Sequence, residues 1–122
     1  MIYADLHIHT NHSDGVCEIT DVLENARSKG LKTLAITDHD TTNHYPEIFK
    51  EGKRLGLNII KGVEMSCYDF DVFKKVHIVG LGLNLETPNV DRLCSHTLAC
   101  RDQYHRELIL ELHQHGYDIC YE

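Results

Sequence analysis

Asp5-Leu6-His7-Ile8-His9 stands almost at the amino terminus, and the reading of the whole chain turns on it. Polar and apolar residues alternate, and alternate residues of a strand point to the same face. Asp5, His7 and His9 are therefore expected to project together, with Leu6 and Ile8 packing on the other side. Two imidazoles converging at a strand end can chelate one ion, and Asp5 can hold a ring nitrogen from behind. The same pattern also lines polar pockets that hold no ion, so the neighbouring segments carry the decision.

Working outward, His12-Ser13-Asp14-Gly15 comes next. Asp14 offers a hard oxygen ligand and Gly15 permits a turn, although such a run is also an ordinary turn sequence. The stretch from Ile19 to Lys29 reads as a helix. Thr20 is its expected cap, Val22, Leu23 and Ala26 form an apolar stripe, and Gly30 ends it in the left-handed conformation. Thr33 to Thr37 reads as a short buried strand running into Thr37-Asp38-His39-Asp40-Thr41. Three ionisable groups at a buried strand end are costly unless something neutralises them. A cation would do so; a loop with a helix cap is the alternative.

Pro46 suits the first turn of a second helix, with Ile48, Phe49, Gly52 and Leu55 on one side and Gly56 as its stop. Asn58 to Val63 is the expected third strand. It leads into Gly62-Val63-Glu64-Met65-Ser66, where the Glu64 carboxylate can bridge two metals. Val76 to Leu83 is the expected fourth strand and sets His77 among aliphatic residues, where a histidine by itself is more often a core residue than a ligand. A long helix is expected from Thr87-Pro88 to about His115, with Tyr104, Leu108 and Leu112 as an apolar stripe and Gly116 as its end. The segment 88–116 is expected to begin an inserted helical portion of a single domain over 1–122.

Strand–helix alternation implies parallel strands with helices on their faces, and chemistry in such folds collects at the carboxyl ends of the strands. Four successive strands place His or acid near that end. His44, His96, His105, His113 and His115 fall outside the pattern. The last two lie at a helix C-terminus, where the partial negative charge favours imidazolium.

Composition agrees with one globular domain: 122 residues, 42% hydrophobic and 25% charged. The net charge of −7 with neutral His argues against a broad basic face for duplex nucleic acid. No run of about 18 apolar residues exists, so no membrane span is expected. The opening MIYADLHIHT has neither a basic start nor a long apolar stretch, and a cytoplasmic location is expected. The five Cys are an odd number with no C-x-x-C, which reads as reduced thiols; Cys17 reads as a small apolar residue. The abnormal figure is ten His, a number that metal sites call for and surfaces do not.

The runs DLHIHTNHSDG, TDHDT, GVEMS and HIVGLGL closely resemble, in order and spacing over residues 1–83, the first motifs of the PHP family, the polymerase and histidinol phosphatase domain. The continuation RDQYHRELILELHQHG at 101–116 resembles its free-standing phosphoesterases acting on small nucleotides or RNA ends. The resemblance implies a distorted, roughly seven-stranded, TIM-like β/α barrel binding up to three divalent metals (Zn, Mn or Fe), of which this chain would supply the first four strands and their helices. It implies that His7 and His9 ligate the first ion, that Glu64 bridges first and second, and that His77 ligates the second. Asp14 and His39 would ligate the third, with Asp5 and Asp40 supporting the ligands from behind. The family's later ligands, another His and a late Asp-x-His, have no counterpart after His77. The length also lies far below the roughly 250 residues of a β/α barrel, so the chain reads as the amino-terminal part of such a protein, with an open edge that could drive self-association.

The function expected is hydrolysis of a phosphate ester of a small molecule, nucleotide or RNA end. Metals would lower the pKa of a bridging water toward about 7 to give the attacking hydroxide and would neutralise charge on phosphate. Arg101 or Arg106 could grip a substrate phosphate, unless each belongs to a solvated helix face. Two rivals stand: an inactive metal-binding or interaction half-domain, and an amidohydrolase-like enzyme. The Thr-Asp-His-Asp run and the Gly-Val-Glu strand speak against the second.

Overall fold

The computed structural model describes residues 3–72 and 74–120. Ile2 of the expected first strand, and Tyr121 and Glu122 of the expected terminal segment, lie outside the described residues. Eight elements follow in order: β1 (Ala4–Ile8), α1 (Ile19–Ser28), β2 (Thr33–Ile36), α2 (Tyr45–Leu55), β3 (Asn58–Ile59), β4 (Gly62–Asp69), β5 (Lys74–Leu81) and α3 (Pro88–Gln114).

The first five elements are a parallel unit. β2 is central, with β1 on one side and β3 on the other, both parallel to it. Its residues Leu34, Ala35 and Ile36 are wholly buried, as the continuous apolar run of a covered strand requires. α1 supplies Ile19, Leu23 and Ala26 to the core, and α2 supplies Tyr45, Ile48 and Leu55. Each fully buried Leu or Ile side chain contributes about 1.5–3 kcal/mol. Gly52 lets α2 come close to β3: a Cβ there would sit 2.4 Å from Ile59 Cγ1.

The helix ends follow the sequence closely. Gly30 and Gly56 both have positive φ, at 82° and 68°, and the N–H groups of Leu31 and Leu57 reach back to Ala26 and Gly52. The start of α1 differs from expectation. Thr20 lies inside the helix, and Glu18 takes the cap position with no side-chain hydrogen bond.

Two larger differences concern the strands. β1 carries one extra residue against β2 between Asp5 and Ile8, since Asp5 pairs with Leu34 and Ile8 with Ile36. Such a bulge breaks the two-residue alternation and re-aims side chains. Second, the expected strand Asn58–Val63 is broken. Ile60 still donates to Leu34 O, but Lys61 turns its ammonium into Leu85 O and Thr87 Oγ1. From Gly62 the chain forms an antiparallel hairpin with β5, Gly62 opposite Leu81 and Asp69 opposite Lys74. The strand bearing His77 therefore runs against its neighbour, contrary to the parallel reading. Period-two alternation is the same in either direction and cannot report the reversal.

α3 ends beside Gly116, whose φ is 84°. Its expected stripe is not buried: Tyr104 and Leu108 are exposed, and Cys94 is the buried residue of this helix. Polar clasps hold the helix to the rest. Thr42 Oγ1 donates to Asp91 at 2.6 Å, and Arg101 Nη2 reaches Asp40 at 2.8 Å. All five cysteines are free thiols. Among the described residues, no helix is long and apolar enough to cross a membrane.

Candidate metal centre

Glu64 is the hub of the site. It lies near the start of β4, where the chain still runs beside the end of β2: Glu64 N–H donates to Asp38 O, and Asp40 N–H donates to Glu64 O. That backbone ladder brings Glu64 next to the Asp38-His39-Asp40 run. The Glu64 side chain is only 8% exposed. Its Oε2 lies 2.8 Å from His7 Nε2, 2.9 Å from His9 Nε2 and 3.7 Å from His39 Nε2. Its Oε1 lies 2.9 Å from His77 Nδ1.

Burial by itself would raise the Glu64 carboxyl pKa. The hydrogen bond from His7, the charges of His39 and His7 and the bond from His77 outweigh it and hold the group below its ordinary value. The centre of the cluster is thus an ionised carboxylate. Asp14 stands on the other side, its Oδ1 3.1 Å from His9 Nδ1 and its Oδ2 3.6 Å from His39 Nε2.

Three groups of donors each have one ligand atom per residue within 4.8 Å of the others: His7, His9 and Glu64; His9, Asp14 and His39; His39, Glu64 and His77. The six residues expected from sequence all converge. His9 and His39 each belong to two groups, so His39 stands between Glu64 and Asp14 and is shared rather than confined to an Asp14 site. The donor chemistry fits divalent ions: imidazoles and carboxylates suit Zn, Mn and Fe alike, and each set of three leaves room for water or substrate.

The supporting acids differ from expectation. Asp5 Oδ1 accepts the His7 backbone N–H at 3.3 Å and not a ring N–H. It lines a shallow cleft against α1 together with Ile8, Val22 and Ala26. The bulge in β1 explains this, because Asp5 and Ile8 now share a side. Asp40 is buried in a left-handed conformation, φ 53°, which Asp tolerates better than most residues. Its Oδ1 accepts Ser66 N–H and its Oδ2 accepts from Arg101, so it braces backbone and guanidinium rather than an imidazole.

The two arginines separate. Arg101 lines a cleft with His12, Ser13, Asp14, His39 and Leu98, at the open side of the cluster. Arg106 is exposed on α3 and pairs with Asp102 one turn away at 2.8 Å; it does not line that cleft. Sequence reasoning missed Asp38 and His44. His44, set aside as lacking strand-end context, is buried with its Nε2 2.8 Å from Asp38 Oδ2. The one available signal was the TDHD run itself, whose first acid had no assigned partner.

A family model described as the PHP domain matches residues 5–122. The chain belongs to the PHP domain family. This PHP chain is 39% identical over 115 residues to a phosphoribosyl 1,2-cyclic phosphate 1,2-diphosphodiesterase of Eggerthella lenta, a match spanning 94% of the chain and 44% of that protein. It is 38% identical over 88 residues to a 3',5'-nucleoside bisphosphate phosphatase of Chromobacterium violaceum, spanning 72% of the chain and 30% of that protein. A solved structure from Bifidobacterium adolescentis, described as a metal-dependent phosphoesterase, matches with a TM-score of 0.84 at 28% identity, over 98% of the chain and 41% of that protein. The described elements are therefore part of a PHP-type, TIM-like barrel, and the chain spans less than half the length of these relatives.

Metal affinity is expected to fall steeply below about pH 6, because ligation needs neutral imidazole and free imidazole protonates near 6.5. Metal content after dialysis at stepped pH measures this. Retention that stays flat down to about pH 4 would mean that carboxylates alone hold the ions.

Proposed function

We propose that this chain carries the metal centre of a phosphoesterase that hydrolyses a phosphate ester of a small molecule, a nucleotide or an RNA end. The observation supporting it is the convergence of His7, His9, His39 and His77 on the buried Glu64, with Asp14 beside them. His7, His9 and Glu64 would hold one ion, His39, Glu64 and His77 a second, and His9, Asp14 and His39 a third. Bound divalent ions supply positive charge for the phosphate oxygens and lower the pKa of water toward about 7.

The chain's own residues do the rest. Glu64 supplies the negative charge that two of the three groups share. Arg101 presents a guanidinium to the cleft beside Asp14 and His39, with Asp40 and Ser66 fixing its direction. A guanidinium matches phosphate geometry in a way that an ammonium does not. Arg101→Lys is therefore expected to raise KM for a phosphoester several-fold while metal content stays constant; an unchanged KM would remove Arg101 from the substrate site. The names of the two relatives, one acting on a phosphoribosyl cyclic phosphate and one on a nucleoside bisphosphate, favour a sugar phosphate or nucleotide substrate.

The test is an assay of a generic phosphoester with Mn²⁺ or Zn²⁺ beside an amide substrate. Metal-dependent phosphoester cleavage alone is the expected result. Amide cleavage would favour the amidohydrolase reading, and metal uptake without either activity would favour a binding half-domain.

The strand edges bear on assembly. Among the described residues, β1 pairs only with β2 and β5 only with β4, and Val76, Ile78 and Leu81 are exposed on β5. Unpaired edges offer backbone donors and acceptors to another chain. The 122-residue chain is expected to self-associate through them, with a mass by light scattering that grows with concentration. A monodisperse monomer would overturn this.

A further inference from the structure

Behind the imidazole cluster lies a buried polar network that the chemistry above does not use. Asp38 immediately precedes His39 and is fully buried. Its Oδ1 accepts the Thr10 amide N–H at 2.7 Å and the Ser13 hydroxyl at 2.6 Å. Its Oδ2 accepts the Thr10 hydroxyl at 2.7 Å and lies 2.8 Å from His44 Nε2. Hydrogen bonds from the Thr10 N–H, the Thr10 hydroxyl and the Ser13 hydroxyl, together with the close contact to His44, thus surround both buried oxygens. A fully buried carboxyl group is costly unless its oxygens are paired, and these contacts pair both of them.

Its partners come from two places. His44 sits at the start of α2, stacked on His12 with ring centroids 4.3 Å apart. Thr10 and Ser13 belong to the turn that carries Asp14. That turn is closed by Ser13 N–H and Gly15 N–H on Thr10 O, and by His12 N–H on Thr10 Oγ1. A Cβ at Gly15 would lie 2.7 Å from His9 O and 2.8 Å from Thr10 O, so the turn has no slack. Asp14 itself is 67% exposed, and within the turn its Oδ1 takes only a long 3.4 Å contact from the Ser13 hydroxyl. Its place opposite His9 and His39 depends on the turn, and the turn is folded around Asp38.

We propose that Asp38 and His44 are a positioning pair that locks the 10–14 turn and so sets Asp14 against His9 and His39, supporting that group of three selectively. His44, 2.8 Å from the carboxylate, ties it to the start of α2, and Asp38 carries that tie to the turn through Thr10 and Ser13. The group of His39, Glu64 and His77 stands on the β4–β5 hairpin and the backbone ladder to β2, and does not depend on the turn. The inference rests on reading the cluster as a metal centre.

The test is calorimetric titration with Mn²⁺ of the wild type and of Asp14→Asn, His44→Ala, His44→Gln and Ser13→Ala, with circular dichroism of each. Asp14→Asn defines the class of site that depends on Asp14. His44→Ala is expected to weaken that class about 10–100-fold, the range for residues that orient ligands, and to leave the remaining uptake unchanged. His44→Gln should restore part of the loss, and adding Asp14→Asn to His44→Ala should cost nothing further. Ser13→Ala removes the 2.6 Å bond to Asp38 along with the longer 3.4 Å contacts of the same hydroxyl to His9 and Asp14, and keeps the test open if His44→Ala does not fold. Losses spread evenly over all sites, or none in both His44→Ala and Ser13→Ala, would overturn the pair. A wild type that takes up no Mn²⁺ would instead overturn the metal-centre reading, and this inference with it.

Discussion

Glu64→Gln is expected to lower metal affinity about a hundredfold or more, at least as much as losing a residue that merely supports a ligand. Two of the three donor groups contain Glu64. The change removes the negative charge that His7, His9 and His77 face at 2.8 to 2.9 Å. It also sets an amide NH₂ against imidazole nitrogens on one side, a donor where an ion would stand. The group of His9, Asp14 and His39 lacks Glu64, so one weak site should survive. Metal content after exhaustive dialysis, with chelator competition, measures the loss. Uptake equal to wild type would show that the ions are held elsewhere.

Tyr45→Phe is expected to cost about 2–6 kcal/mol, the sum of leaving a buried donor and a buried acceptor without their hydroxyl. The side chain is 2% exposed. Its hydroxyl accepts Gly62 N–H at 2.6 Å and contacts Ile36 O and, at 3.2 Å, Ile60 O. One oxygen thereby joins the end of β2 to the break where β3 gives way to β4, the junction that delivers Glu64. Burial pushes the Tyr45 phenol up to about 12, opposed by the Gly62 N–H and reinforced by the charge of Asp38. The folded state holds this proton more tightly than the unfolded state. Its contribution is therefore complete below about pH 10, the ordinary tyrosine value, and is lost as pH rises from there toward about 12. Urea denaturation at pH 7 and at stepped alkaline pH tests both points. The variant should be less stable at pH 7 and should lose less stability between pH 10 and 12. Equal stabilities at pH 7 would remove the hydroxyl from the account.

The site was legible because its chemistry is local. His7 and His9 lie two apart at the end of one strand, and Asp14 and His39 sit in the loops after β1 and β2. Glu64 and His77 are the polar residues of otherwise apolar runs. Polar residues in such places need a partner whatever the fold. Arg106 illustrates the opposite case. Its charge suggested a phosphate, but an acid four residues earlier on the same helix face claims it.

Sequence by itself determined the ends of α1, α2 and α3, because only glycine adopts positive φ cheaply at Gly30, Gly56 and Gly116. It also determined which residues could bind metal, since donor chemistry belongs to the side chain. The tertiary structure decided three things. The bulge in β1 turned Asp5 away from the imidazoles, an outcome of pairing with β2 that alternation cannot encode. The break at Ile60 and Lys61 took β4 away from β2 into a hairpin: the Gly62 N–H goes to the Tyr45 hydroxyl, far from it in the chain, and Gly62 pairs with Leu81. Asp38 drew His44 inward beneath the 10–14 turn, because a buried carboxylate takes its partners from wherever the fold brings donors within reach, without regard to their separation along the chain.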